Sequence, residues 1–120
     1  MSGLSEVVER SFSATIIDQQ SVTTHVDQLA FKPDYLNKDI VQPQMVYGWR
    51  GMAEITIPWA NVQRIDLVVI DRRFNCLVTL RNRTRVPLRI DAANTEYSGT
   101  NEYGGILMIR AEYIRSIIFD

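Results

Sequence analysis

The sequence predicts an all-β, antiparallel domain, a small barrel or sandwich assembled from two copies of one strand pattern. Three observations predict it. Short runs rich in Ile, Val, Leu and Thr are broken by turn formers roughly every eight to twelve residues. No long stretch carries the apolar period of a helix. The second half of the chain also lies over the first with its apolar spacing intact.

Taken in order, "LSEVVERSF" sets Leu4, Val8 and Phe12 at helical spacing, which predicts one or two turns of helix before the first strand. "FSATIIDQQSVTTHVDQL" then reads as an aromatic, a strand, a polar turn and a returning strand. "FNCLVTLRNRTRVPLRID" repeats that order. Further on, "MAEITIPWANVQRIDL" matches "GGILMIRAEYIRSIIF", aligning Ile55 with Leu107, Ile57 with Ile109, Val62 with Ile114, Ile65 with Ile117 and Leu67 with Phe119. The shared spacing describes a strand, a tight turn ("PWAN" or "RAEY") and a strand that re-enters the core. Trp59, beside Pro58 in that turn, reads as a lid on the core. One domain, 1–120, therefore contains pseudo-repeat one at 12–70 and pseudo-repeat two at 74–120. Residues 32–51 form an insertion in the first, opposite what reads as the short turn "SGTN"; "YSG" and "YGG" also read as hairpin turns.

Composition bounds the function. The 120 residues suffice for one hydrophobic core, and 46% apolar with 22% charged residues is ordinary for a folded globular chain. A formal charge of -1 gives no global field for nucleic acid or acidic membrane, so any electrostatic partner is met locally. Cys76 is the only cysteine, which excludes an intrachain disulfide. Neither a secretory leader pattern nor an apolar run of membrane-spanning length is present, and a cytoplasmic protein is expected; a mature exported chain would read the same way.

In "ILMIRAEYIRSI", Ile109, Arg110, Ile114 and Ile117 fit the second motif of the Sm-like proteins, with Ala111 in its glycine position. Val78 and Leu80 fit the first motif, where Arg83 and Leu88 occupy glycine positions. Residues 74–120 thus resemble the SH3-like and Sm-like small barrels. The resemblance implies a hairpin, a strand, a single 3-10 turn and a closing strand. It also carries a nucleic-acid-binding alternative, with Arg81, Arg83, Arg85, Arg89 and Arg110 as a phosphate track and Tyr97 or Tyr103 as stacking platforms.

"RNRTRVPLR" concentrates Arg81, Arg83, Arg85 and Arg89 with no acidic residue among them. Pairing Leu80 with Val86 and Val78 with Leu88 gives Cys76, Val78, Leu80, Val86, Leu88 and Ile90 one core face. Arg81, Arg85 and Arg89 take the other face and Arg83 the turn. Arg81 then faces Arg85, a like-charge pair that calls for acidic neighbours such as Asp91, Glu96, Glu102 or Glu112. Pro87 marks an edge strand. The arginines are either a solvated edge guard or a docking surface for an acidic protein, a phosphate-bearing ligand or a second subunit. The insertion adds Tyr35, Tyr47 and Trp49, residue types that either cap a core or anchor an interface.

Catalytic constellations are weak. His25 on a strand reads as structural, Cys76 as a buried small hydrophobe, and the two do not make a zinc site alone. The carboxylates single out no pair, no glycine-rich phosphate loop exists, and the Asn82 sequon lacks a secretory context. The expectation is a non-enzymatic β module without cofactor or metal, bound to a protein partner or to its own copies.

Overall fold

In the computed structural model the structure describes residues 11–33 and 44–120. The helical turn expected over 4–12 falls on residues 1–10 except for Ser11 and Phe12, which are not helical, and Tyr35 falls within 34–43; 1–10 and 34–43 are outside the described residues. The described chain is all-β and antiparallel. Ten strands run β1 (Ala14–Asp18), β2 (Thr23–Pro33), β3 (Met45–Arg50), β4 (Ala53–Pro58), β5 (Val62–Asp66), β6 (Cys76–Leu80), β7 (Arg85–Leu88), β8 (Thr95–Asn101), β9 (Ile106–Arg110) and β10 (Ile114–Phe119). The turns "WAN" (Trp59–Asn61) and "AEY" (Ala111–Tyr113) are single 3-10 turns leading into β5 and β10.

Eight strands form one sheet in the order β7-β6-β5-β10-β1-β2-β8-β9, and β3-β4 form a second. The eight-stranded ladder is open, with β7 and β9 at its ends. One antiparallel bridge, Trp49 to Arg89, links β3 to β7.

Register reveals how the repeat is built. Ala14 pairs with Val26 in β1–β2 as Cys76 pairs with Leu88 in β6–β7. Ile16 pairs with Ile117 in β1–β10 as Val78 pairs with Ile65 in β6–β5. Asp27 pairs with Thr100 in β2–β8 as Arg89 pairs with Trp49 in β7–β3. In every case the first hairpin of one half pairs with later strands of the other half. The halves therefore exchange strands. β1 and β2 complete a five-strand unit with β8–β10, and β3–β7 form the second; β5 and β10 join them.

Two expectations change here. Of residues 32–51, those described at the two ends are not irregular: β2 runs to Pro33 and Met45–Arg50 is a strand, while 34–43 lie outside the described residues. "SGTN" lies within β8 rather than in a turn. Gly48 and Gly99 explain both: a Cβ on Gly48 would stand 2.8 Å from the Arg89 carbonyl, and one on Gly99 would strike Val26 and stand 2.7 Å from the Asp27 carbonyl. These glycines let a crossing strand press onto the exchanged hairpin.

The core follows strand alternation. Ile16, Val26, Ile65, Val78, Leu88, Ile114 and Ile117 are buried. Trp59 is fully buried, which corrects its reading as a lid. Its ring meets Phe12 at 5.7 Å, Phe119 at 5.4 Å, Tyr97 at 6.3 Å and Phe31 at 6.4 Å. The 3-10 turn of one unit thus plugs the aromatic centre of the other, whereas the equivalent turn offers only Ala111.

Candidate functional site

The β6–β7 hairpin closes earlier than its charge pattern predicts. Leu80 N–H donates to the Thr84 carbonyl at 2.8 Å, and Arg83 N–H to the Leu80 carbonyl at 2.9 Å, with Arg83 left-handed at φ 73°. This three-residue loop sets Val78 opposite Val86 and Thr79 opposite Arg85. The expected register is therefore displaced by two residues. An even displacement keeps Cys76, Val78, Leu88 and Ile90 in the core, but it separates Arg81 from Arg85 and relieves their repulsion.

The four arginines do not form one patch. Arg81 donates to the Asp120 carbonyl at 2.9 Å and the Ala60 carbonyl at 3.3 Å, clamping the residue after β10 to the Trp59–Asn61 turn. Arg83 occupies the loop tip. Arg85 lies along a shallow groove with Arg64, Thr79 and Ile118. Among the described residues, none of the four makes an ion pair, so the expected acidic neighbours do not neutralise them.

Arg89 alone reaches the aromatic segment. Arg89 and Trp49 exchange reciprocal backbone hydrogen bonds, each 2.9 Å, and the Arg89 guanidinium lies 5.1 Å from the Trp49 ring centroid. Tyr47 packs edge-on against Trp49 at 5.2 Å and is buried, so it offers no contact surface of its own. Trp49 is half-buried.

A second cluster, around Phe74, was not singled out by sequence. The Arg50 and Arg73 guanidinium groups lie 5.7 and 5.4 Å from the Phe74 ring centroid, and Arg50 donates to the Pro87 carbonyl at 2.9 Å. Asn75 fixes this segment against β7: its amide donates to the Ile90 carbonyl at 3.0 Å, and its oxygen accepts from Ile90 N–H at 2.8 Å. Asp71 pairs with Arg73 at 3.4 Å, and the hydrogen bond from Arg73 N–H holds its carboxyl below the usual range. A legible signal existed. Phe74 repeats Phe12, but the turn that gives Phe12 a tryptophan gives the second copy Ala111, so Phe74 is stacked by arginines instead.

Stacked guanidinium groups are held by roughly 0.5–1 kcal/mol each and keep N–H donors at their edges for a carboxylate or phosphate. Other candidates do not converge. Cys76 is fully enclosed, and burial, with Asp66 a lesser cause, pushes its thiol up to about 12. Three strands separate its strand from that of His25, about 19 Å at usual strand spacing. His25 instead sits 3.1 Å from Asp120. Tyr97, a proposed stacking platform, is buried, and Arg110 is engaged with the Ala93 carbonyl at 3.2 Å. Among the described residues no acidic, His or Cys cluster could hold a metal, and no helix is long and apolar enough to cross a membrane. No protein-family model matches this chain, and no curated protein or solved structure matches it.

Proposed function

We propose that the protein is a non-catalytic, cytoplasmic β module, two SH3-like small barrels sharing strands, that binds an acidic protein surface. The candidate contact residues are Trp49 with Arg89 and, from the next residue of β3 onward, Arg50 with Phe74 and Arg73. One observation carries the reading. The Arg89 side chain lies over Trp49, so the last arginine of the basic hairpin meets the aromatic segment. Such a pairing offers an aromatic anchor and oriented donors, the combination enriched at protein interfaces.

Arginines interleaved with rings also suit a single nucleic-acid strand. That reading is weaker, because Arg81 and Arg110 are spent on carbonyl oxygens and the net charge is -1. The test is capture from lysate of the native source with the natural chain and with Arg50→Glu/Arg73→Glu/Arg89→Glu. The variant is expected to keep its far-UV spectrum and lose its partner. An unchanged partner set overturns the proposal, and oligonucleotide binding that falls steeply with salt favours the alternative.

A further inference from the structure

We propose that the protein self-associates into a two-fold dimer by antiparallel pairing of β9 with β9 of a second copy, centred on Met108. β9 ends the eight-stranded sheet. Asn101 N–H donates to the Gly105 carbonyl at 2.9 Å, and Leu107 and Ile109 face Gly99 and Tyr97. Antiparallel alternation then turns the backbone N–H and C=O groups of Ile106 and Met108 outward, away from β8.

The internal repeat supplies a control. β4 is the counterpart of β9 and also an edge. Where β4 has Glu54, Thr56 and Pro58, β9 has Ile106, Met108 and Arg110. A charge and a proline guard the first edge, as monomeric sheets require, whereas the second has apolar Ile106 and Met108 at the first two positions and, at the third, Arg110, whose guanidinium is drawn to the Ala93 carbonyl. Ile106 and Met108 are 76% and 64% exposed, and Tyr103 and Tyr113, at 82% and 56%, flank them.

A second copy fits this edge because its exposed groups are symmetric about Met108. In that register Met108 faces its own copy, Ile106 faces Arg110, and Tyr103 comes abreast of Tyr113. Gly104 and Gly105 come abreast of Glu112 and Ala111, leaving room for the turn. Every charge meets a neutral residue, so no like-charged pair opposes the contact. The strand pair continues the existing sheet across the dyad, an isologous interface. This surface is separate from the candidate contact residues.

Light scattering across a concentration series tests it. The natural chain is expected at twice the monomer mass. Ile106→Glu/Met108→Thr, which copies the β4 edge onto β9, is expected to be monomeric with an unchanged spectrum and a dissociation constant raised about 100-fold or more. As a second measurement, Met108→Cys is expected to form a disulfide-linked dimer under mild oxidation while Tyr103→Cys does not, and buried Cys76 does not compete. A monomeric natural chain, a dimer that survives Ile106→Glu/Met108→Thr, or a Met108→Cys chain that fails to crosslink overturns the proposal.

Discussion

Ile65 and Ile117 are Cα partners in the antiparallel β5–β10 pair, and they are also each other's counterparts in the repeated sequence. A pseudo-two-fold axis therefore runs between them, through a contact that both side chains bury. Exchange of hairpins across this axis has an energetic consequence. Neither half of the sequence can complete its own sheet, so the stability of each unit depends on the other's strands.

The crossing strands should report that dependence. Gly48→Ala and Gly99→Ala each force a Cβ against the exchanged hairpin, with Gly99 the more crowded. Overpacking of this kind costs about 1–3 kcal/mol, and Gly99→Ala is expected to lie at the upper end. Urea unfolding should show a single transition shifted to lower midpoint in both variants. Unchanged midpoints, or two separate transitions, would contradict strand exchange.

Apolar spacing made the strands, the duplicated turns and the core face of the hairpin legible, because alternation depends only on side-chain parity. Pairing between halves was hidden, since β2 meets β8 through a contact set by Gly99 and a bulge at Gln28 (φ 53°) that no local pattern announces. Trp59 was misread for the same reason: its partners are Phe12 and Phe31, on and just before the exchanged β1–β2 hairpin, and Tyr97 and Phe119, on the strands β8 and β10 that receive it. At the candidate site, Arg89 and Trp49 were both visible as residue types. Their contact was not, because it lies across the exchange. Arg50, Arg73 and Phe74 escaped because their grouping depends on Asn75 binding Ile90.

Arg83 holds the left-handed position of the β6–β7 loop at φ 73°, a conformation glycine adopts freely. Strain there is about 1 kcal/mol, while glycine's added unfolded-state freedom costs about 0.5 kcal/mol. Arg83→Gly is therefore expected to stabilise the chain by about 0.5 kcal/mol, and Arg83→Val to destabilise it by about 1 kcal/mol or more, since a β-branched side chain resists this region. Urea midpoints at constant slope decide the matter. A destabilised Arg83→Gly chain would mean that the arginine side chain contributes more than its backbone strain costs.

His25 is the sole histidine, so its imidazole proton resonance can be followed without assignment. Its Nε2 lies 3.1 Å from Asp120 Oδ2, and that hydrogen bond raises its pKa above the usual 6.5, helped by the charges of Asp120, Asp27 and Glu102 and opposed by partial desolvation. A group whose folded pKa is raised contributes stability that is complete below its unfolded pKa and is lost as pH climbs through the folded one. Asp120→Asn should move the midpoint back towards 6.5. The stability gap between the natural chain and this variant should be widest below the unfolded midpoint and narrow as pH rises through the raised folded one. A natural-chain midpoint at or below 6.5 would show that the Asp120 contact does not hold the proton in solution.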